Sequence, residues 1–321
     1  MEIAPVLFIV FNRPEVTKQV FQAIRQSKPA RLYIAADGPR RNRPGEDILC
    51  KKVLEIVSDV DWECEVKILK RDQNLGCKFG VSSAITWFFQ NEEEGIILED
   101  DCLPDHTFFR YCSELLERYR ATPQVMIISG SNYPQSNYSV SESYFFSRYN
   151  LIWGWASWRR AWQQYDLSIR KWPELRNTDW LLKMSSKNRF RKYWANVFDI
   201  THAGMIDTWD YQWVFSCWVN KGLAVHPTKN LIKNLGFGID ATHTTGDGGW
   251  LSRLPLEKMI FPMIHPQIVS RDEGADDWLD DNVFVPKIPF YVKMLEKFPG
   301  LITLKRQLFR KWKYFFNNNN G

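Results

Sequence analysis

The chain has few of the residues that build zinc sites and disulfide frameworks. Its 321 residues include six cysteines and five histidines, with no Cys-x-x-Cys pair and no zinc-type spacing. We therefore interpret the cysteines as reduced thiols, which indicates a reducing compartment.

Long apolar runs and secretory signals are also lacking. No apolar run approaches the ~20 residues that a membrane-spanning helix needs. Residues 1–5 carry no basic stretch ahead of the first apolar segment, which argues against a signal peptide. No internal repeat is present either. Together these absences predict a cytoplasmic protein.

Charge asymmetry is small, whereas aromatic residues are abundant. Forty-two Lys and Arg residues against 37 Asp and Glu residues give a net charge of +5 and a pI near 8.8, so no nucleic-acid partner is expected. The chain contains 15 Trp, 12 Tyr and 21 Phe residues. Flat rings suit the apolar faces of sugars, but an aromatic core explains most of them at least as well.

Four short apolar runs alternate with amphipathic helical patterns in the first part of the chain. The runs are residues 5–11, 31–36, 64–69 and 96–98. This alternation predicts an α/β fold, Rossmann-like, with a mostly parallel sheet and helices on both faces. Ligands of such sheets bind at the carboxyl ends of strands where the winding reverses. Polar residues that follow the first three strands are therefore expected to line one edge: Asn12, Arg13, Asp37, Arg71, Asn74 and Lys78.

Three carboxylates, Glu99, Asp100 and Asp101, directly follow the fourth apolar run. At the end of a buried strand they repel each other unless a cation or a positive partner offsets their charge. Mg²⁺ and Mn²⁺ take oxygen ligands, usually one or two carboxylates together with phosphate oxygens. The triplet therefore predicts a Mn²⁺ or Mg²⁺ site that holds a nucleotide diphosphate, with Asp101 as the direct ligand. A charged turn at the surface is the alternative.

The alternation weakens in the second part of the chain. We divide the sequence into a donor-binding half, residues 1–130, an acceptor-side and catalytic half of the same domain, residues 131–265, and a C-terminal extension, residues 266–321. Within the extension, the acidic run 272–281 is most simply a solvated loop. Residues 301–316 form a basic amphipathic pattern, which predicts a helix that either packs on the domain or makes peripheral contact with an anionic membrane surface at the inner face of the cell membrane.

Six short motifs occur in a defined order along the chain. They are Asn12-Arg13-Pro14, Asp37-Gly38, Asn74-Leu75-Gly76-Cys77-Lys78-Phe79-Gly80, Glu99-Asp100-Asp101, Gly154-Trp155 and Trp209-Asp210. This order resembles the GT-A fold glycosyltransferases. The sequence is most similar to the inverting N-acetylglucosaminyltransferase I type and to related bacterial nucleotide-diphospho-sugar transferases, over residues 5–243. The resemblance implies a GT-A fold with a smaller, mixed acceptor-side half.

The resemblance implies a role for each donor-side motif. Arg13 and Asp37 would contact the uridine, and Lys78 would face the diphosphate. Asp101 would ligate Mn²⁺ as the last acid of a DxD element that here begins with Glu99. Asp100 would support nucleotide-sugar binding.

A general base is implied at Asp210, where the resembling family keeps its catalytic carboxylate. This sequence reads Trp-Asp-Tyr-Gln-Trp instead of Trp-Asp-Asp-Trp, so Asp207 is held in reserve for the same role. One base and one metal, without a second carboxylate nucleophile, suit single displacement with inversion. The alternative for Asp210 is an acid at a helix start, stabilised by the helix dipole.

Two further segments complete the expected site. The glycine-rich stretch with Gly238, Thr242 and His243 resembles a loop that closes over the donor, with His243 as a phosphate donor or a metal ligand. A lone histidine is more often structural. Trp153 and Trp155 of the aromatic cluster, together with Trp209, are expected to form the platform that binds the acceptor. The alternative is that these rings pack in the core.

The leading hypothesis is a metal-dependent inverting glycosyltransferase, a hexosyl or N-acetylhexosaminyl transferase for surface-polysaccharide biosynthesis. Its partners would be a UDP-sugar donor and a saccharide or lipid-linked glycan acceptor. A sugar-1-phosphate nucleotidyltransferase is the second hypothesis, although its glycine-rich loop after the first strand is replaced here by Asn12-Arg13-Pro14. A non-catalytic carbohydrate-binding protein is the third.

Overall fold

A mostly parallel eight-stranded sheet is the framework of the protein in a computed structural model that describes residues 2–133, 140–237 and 249–285. The first half supplies five of the sheet strands and four long helices. In chain order its elements are β1 (Val6–Val10), α1 (Pro14–Ser27), β2 (Arg31–Ala36), α2 (Glu46–Ser58), β3 (Glu65–Lys70), α3 (Gly76–Asn91), β4 (Glu94–Glu99), β5 (Cys102–Pro104), α4 (His106–Tyr119) and β6 (Val125–Ser129). Of these strands, β5 belongs to a separate two-stranded sheet.

Strand order places the reversal of winding between β1 and β4. The order is β3-β2-β1-β4-β8-β6-β9-β7, and β1 is parallel to both β2 and β4. Val6 is level with Ile96 and Ile9 with Glu99, so the first strand lies directly beside the fourth. The carboxyl ends of these two strands therefore form the crevice at which open α/β sheets bind ligands.

The second half completes the sheet and adds a helical layer. Its elements are β7 (Tyr144–Ser147), β8 (Trp155–Trp158), α5 (Arg159–Trp162), α6 (Trp172–Leu175), α7 (Trp180–Met184), α8 (Asn188–His202), α9 (Asp210–Val219), β9 (Leu223–Pro227), β10 (Ile232–Asn234) and α10 (Glu273–Leu279). Strand β8 runs antiparallel between β4 and β6, so the aromatic-glycine cluster contributes a central strand. None of the described helices is long and apolar enough to cross a bilayer.

Both faces of the sheet are covered. Phe8 and its alternate neighbours in β1 pack against α1, α2 and α4, whereas Leu7 and Ile9 pack against α3 and α9. Burial on both faces explains why β1 is a continuous apolar run without polar alternation. Pro14 begins α1, a position where its missing N–H costs no helical hydrogen bond.

Most of the aromatic excess belongs to the core. Six of the largest fully buried side chains are tryptophans: Trp155, Trp158, Trp172, Trp194, Trp209 and Trp213. A third cluster, separate from the two sheet faces, is built from rings of α6, α8 and α9. The core explanation of the tryptophan content therefore holds for these six residues.

The acidic run 272–281 is not a solvated loop, and that prediction was wrong. It forms α10 followed by a π-helical turn, Asp280–Phe284. Asp276 and Asp280 lie four residues apart on one face and are buried against Arg148, whose Nη2 donates to Asp280 Oδ2 at 2.7 Å. Ala275 and Leu279 beside them are also buried. The segment is therefore an amphipathic helix that buries two aspartates against Arg148. The basic pattern 301–316 lies outside the described residues, and its membrane contact stays a prediction.

His226 in β9 should make stability depend on pH. Its ring is fully buried, Nε2 donates to the Tyr149 carbonyl at 2.8 Å, and Nδ1 has no partner within the described residues. Burial lowers the pKa of His226 to about 4. Because this value is below the ordinary 6.5, the unfolded chain takes up a proton first as pH falls.

We therefore expect the free energy of unfolding to lose roughly 2 to 3 kcal/mol between about pH 7 and pH 4.5 on account of His226 alone. Above about pH 7.5, where the histidine is neutral in both states, this group should contribute no pH dependence. Urea titrations across this range should show a shallower fall for His226→Gln than for the wild type. Equal slopes would show that His226 titrates alike in both states.

Candidate functional site at the carboxyl edge of β1 and β4

Arg13 is the cation that sits on the acidic triplet. Its guanidinium pairs with Asp100 through Nη2 and with Asp101 through Nη1, the latter at 3.0 Å to Oδ2. Burial alone would lower the pKa of Arg13, but the charges of the two carboxylates outweigh it and raise the pKa. The adjacent ends of β1 and β4 thus bring together Arg13 and the acidic triplet, which the sequence predicted to lie on the same edge. Asp100 and Asp101 hold the Arg13 side chain in this position.

The two aspartates play different parts. Asp100 is turned inward, with 4% of its side chain exposed, and accepts from Phe11 N at 3.3 Å. Asp101 keeps 18% of its side chain exposed. Asp100 therefore binds the turn after β1 through its side chain, whereas Asp101 faces the crevice between the ends of β1 and β4.

The start of the glycine-rich stretch lies directly over Asp101. Strand β10 pairs antiparallel with β5, and Leu235 N donates to the Asp101 carbonyl at 2.7 Å. A Cβ on Gly236 would stand 2.1 Å from Asp101 Oδ2, so only glycine fits. Gly238, Thr242 and His243 lie outside the described residues, and their predicted roles stay predictions.

Four carboxylates act electrostatically on the Cys77 thiol at the start of α3. After burial, the charges of Glu99, Asp210, Asp207 and Asp101 raise the pKa of Cys77. Two of these acids come from the donor-side half and two from the second half. Burial and the charges of Asp101 and Asp100 raise the pKa of Glu99, and Asp210 adds to that effect. The predicted donor and catalytic acids therefore share one electrostatic environment.

The turns after β2 and β3 are bound to each other. Asp37 accepts from Asn74 Nδ2 at 2.8 Å and from Leu75 N at 3.2 Å. A Cβ on Gly38 would meet Gln73 N at 2.4 Å, which explains the glycine there. In this arrangement Asp37 and Asn74 hold the two turns together.

The other predicted donor-side residues divide between structural and open positions. Asn12 donates to Glu46 at 2.9 Å, and Arg71 donates to the Gly80 carbonyl at 2.9 Å. Lys78 is half-buried beside the Phe79 ring and forms no ion pair with any described residue. Lys78 is therefore the predicted phosphate contact that the described part of the protein leaves available.

Asp207 caps helix α3, a role that the sequence did not indicate. Its two oxygens accept from Cys77 N at 3.2 Å and from Lys78 N at 3.0 Å. Gly76 has φ +76°, and a Cβ there would lie 2.9 Å from Asp207 Oδ2. A local side-chain cap is missing because Leu75 is the residue ahead of the helix. No pattern within the chain joins residue 207 to residue 77, since the contact is purely tertiary.

Asp210 begins α9 and is held in one orientation. Oδ1 accepts from Thr208 Oγ1 and from Tyr211 N, the latter at 2.9 Å. Its side chain is half-buried. Asp210 lies at the start of a helix, as the structural interpretation expects. Its charge also acts on Glu99, as the functional interpretation expects. The two interpretations are therefore compatible for this carboxylate.

The predicted acceptor platform is largely buried. Trp155 and Trp209 stack on each other with centroids 5.7 Å apart and are 1% and 2% exposed. A ring buried on both faces offers no surface to a sugar, so the core alternative holds for these two. Trp153 is half-buried between Tyr133 and Phe237, at 5.3 and 5.5 Å, and is the one predicted platform residue near the surface.

A divalent cation fits this site only with help from the substrate. Among the described residues no three His, Cys, Asp or Glu side chains converge as a metal site. Mg²⁺ and Mn²⁺ in phosphate-handling sites need one or two carboxylates plus phosphate oxygens, and Asp101 can supply one. The repulsion that raises the pKa of Glu99 would fall when a cation entered, so the donor set suits one.

Removing the tertiary cap should weaken the donor-side half. We expect Asp207→Ala to lower the free energy of unfolding by about 1 kcal/mol, because two N–H groups of α3 lose their acceptor. Asp207→Asn should cost less, since an amide oxygen still accepts. Urea unfolding of both variants measures the effect, with Asp72→Ala in the exposed turn as the control. A cost for Asp207→Ala no larger than the control's would show that the cap is not needed.

No known protein-family profile matches the chain, and no curated protein sequence matches it. Solved structures that show weak similarity to the chain include the following three. HddC from Yersinia pseudotuberculosis is 8% identical with a TM-score of 0.27, covering 39% of this chain and 57% of its own. A UDP-glucose pyrophosphorylase complexed with UDP-glucose is 10% identical with a TM-score of 0.26, covering 46% and 64%.

The third structure is a 4-diphosphocytidyl-2C-methyl-D-erythritol synthase from Anaerococcus prevotii DSM 20548. It is 8% identical with a TM-score of 0.30, covering 50% of this chain and 75% of that one. This chain thus covers less than two thirds of the length of HddC and of the UDP-glucose pyrophosphorylase. At this similarity the comparisons do not bear on activity, which has to be argued from the site.

Proposed function

We propose that the protein is a metal-dependent inverting glycosyltransferase that moves a sugar, N-acetylglucosamine being the first candidate, from a UDP-sugar to a saccharide or lipid-linked glycan acceptor. The observation that supports it is that Glu99, Asp101 and Asp210 all raise the pKa of Cys77, whose backbone N–H and that of Lys78 are bound by Asp207 from the second half. This point lies at the carboxyl ends of β1 and β4, where the winding of the sheet reverses. A donor-side acid and a prospective base therefore meet where a nucleotide sugar would lie.

Each charged residue has a separate task in this proposal. Arg13 fixes the positions of Asp100 and Asp101 and offsets part of their charge. Lys78 faces the diphosphate, and Asp101 holds the cation, which when bound would supply Lewis-acid stabilisation of the leaving group. Asp210 accepts the proton of the acceptor hydroxyl as it attacks the anomeric carbon, while the bond to the diphosphate breaks. Displacement in one step from the opposite face inverts the anomeric configuration.

The nucleotidyltransferase alternative has less support from the structure. Its phosphate-binding loop would follow β1, where this chain has Asn12-Arg13-Pro14 and no glycine. Arg13 is engaged by two carboxylates, and Asn12 by Glu46. Release of pyrophosphate from UTP and a sugar phosphate would nevertheless show that the protein is a nucleotidyltransferase. Sugar binding without consumption of any donor would decide for a non-catalytic protein.

A thermal-shift screen of nucleotide sugars with Mn²⁺ and with a chelator tests the proposal. A UDP-sugar at about 100 times its Kd should stabilise the folded state by about 2.7 kcal/mol, which is a rise in Tm of about 5 °C. The rise should depend on the metal and should be lost in Asp101→Asn, whereas Asp61→Asn on the distant surface should keep it. No rise with any UDP-sugar would overturn the proposal.

A further inference from the structure

The loop between β2 and α2 carries three arginines within four residues, Arg40, Arg41 and Arg43. Together with the turn after β3 it encloses an open groove of about 790 Å³. Lys70 and Arg71 from the β3 side also line this groove, so five cationic side chains face it against two carboxylates. The proposed transfer reaction gives this groove no task.

Two of the five cations are committed within the protein. Arg40 is paired with Glu46, which is buried at the start of α2. Arg71 donates to the Gly80 carbonyl at 2.9 Å and to Ser83 Oγ at 2.6 Å. These bonds fix the two walls of the groove.

The other three cations have no carboxylate partner in the described part of the chain. Arg41 donates to the side-chain amide of Gln73 at 2.8 Å, which joins the two loops across the groove. Arg43 and Lys70 are exposed and form no ion pair with any described residue. The two carboxylates of the groove, Asp47 and Asp72, pair with none of these three cations. Three cations without ion pairs on two linked loops suit recognition of phosphate oxygens by guanidinium and ammonium groups.

The groove is distinct from the edge that would hold the donor. It lies at the carboxyl ends of β2 and β3, whereas Arg13 and its acids lie at β1 and β4. Asp37 stands between them, with its carboxylate turned to Asn74 and Leu75 N. A phosphate in the groove would therefore contact none of the acids around Cys77.

We propose that this groove is a second anion site that binds a ligand with several phosphate groups, separately from the donor. Arg41, Arg43 and Lys70 contact the phosphate oxygens, and Arg40 and Arg71 hold the loops in place. Phosphates of a membrane headgroup layer and those of a soluble polyphosphate present the same chemistry. The inference is independent of the glycosyltransferase proposal, since it rests on different residues.

Binding of tripolyphosphate in the presence of a chelator, measured by titration calorimetry, tests the site. The triple variant Arg41→Gln/Arg43→Gln/Lys70→Gln should bind at least about tenfold more weakly than the wild type, because each lost charge-assisted contact removes a part of the affinity. Raising the salt from about 50 to 200 mM should weaken wild-type binding by a similar factor. All three side chains are exposed, so the Tm of the triple variant should stay close to that of the wild type.

Two controls separate the groove from general positive charge and from the donor edge. The variant Lys18→Gln/Lys51→Gln/Lys52→Gln removes the same charge from α1 and α2 outside the groove and should bind within twofold of the wild type. Lys78→Gln should do the same, because Lys78 belongs to the donor edge and forms no ion pair with any described residue. Equal losses in the groove variant and the lysine control, or a loss confined to Lys78→Gln, would overturn the proposal.

Vesicles of phosphatidylglycerol and phosphatidylcholine, with phosphatidylcholine alone as the blank, distinguish the two sources of phosphate. Sedimentation of the wild type, but not of the groove variant, with the anionic vesicles would identify the ligand as a headgroup layer. Tripolyphosphate binding without vesicle binding would identify it as a soluble phosphate compound. No binding of either probe would show that the groove is not an anion site.

Discussion

Arg148→Ala is expected to lower the free energy of unfolding by about 3 to 5 kcal/mol, because it leaves the buried carboxylate of Asp280 without its cation, whereas Asp276 keeps Arg271 at 3.3 Å. The guanidinium is 5% exposed, donates to Asp280 Oδ2 at 2.7 Å and lies 3.8 Å from Asp276 Oδ2. Asp276 and Asp280 are 1% and 0% exposed, so water cannot replace the lost cation. Tyr149 also donates to Asp280, and Ser147 donates to Asp276 at 2.5 Å.

Urea unfolding at neutral pH measures this loss, and two variants interpret it. Arg176→Ala breaks an exposed pair with Asp199, of which each side chain is 42% exposed, and should cost less than about 1 kcal/mol. The triple variant Arg148→Met/Asp276→Asn/Asp280→Asn removes the three buried charges, leaves only the partly exposed Arg271 of the network charged, and should recover most of the stability. If Arg148→Ala cost no more than Arg176→Ala, the network would not hold α10 on the sheet.

Strands could be predicted from the sequence where the determinants are local. The predicted run 31–36 coincides with β2, and the run 64–69 differs from β3 by one residue at each end. A strand buried on both faces leaves a continuous apolar run, and turn residues end it. The sequence left open which strand lies beside β1, and the pairing of Val6 with Ile96 places β4 there.

Features that depend on distant partners could not be predicted in the same way. The acidic run looked solvated because its cation, Arg148, lies 132 residues before Asp280. The antiparallel entry of β8 between β4 and β6 has no signal in its own residues, since Trp155–Trp158 reads only as an aromatic cluster. Both features depend on contacts that form only in the folded chain. The local spacing of polar and apolar residues does not indicate such contacts.

The acidic triplet shows the same division within one site. Its position at the end of a core strand was visible in the sequence, and so was the need for a positive partner. That Arg13 is this partner in the described structure follows from the register of β1 and β4, which carries both groups to the same height. The inward turn of Asp100 and the closeness of Gly236 to Asp101 required coordinates.

Asp210→Asn is expected to lower kcat of the proposed transfer by about 10² to 10⁴, because an amide cannot accept the proton of the acceptor hydroxyl. An amide oxygen can still accept from Thr208 Oγ1 and Tyr211 N, so the side chain should keep its orientation. The KM for the UDP-sugar and the Tm should therefore change little. Steady-state rates with saturating donor, together with a Tm measurement, check both expectations.

Asp207→Asn is the matched variant, because Asp207 lies in the same group of acids around Cys77 but accepts from two N–H groups of α3. Its kcat should stay within a few-fold of the wild type if Asp210 is the base. A full rate in Asp210→Asn with a large loss in Asp207→Asn would exchange the two roles. Full rates in both would show that neither Asp210 nor Asp207 is the base.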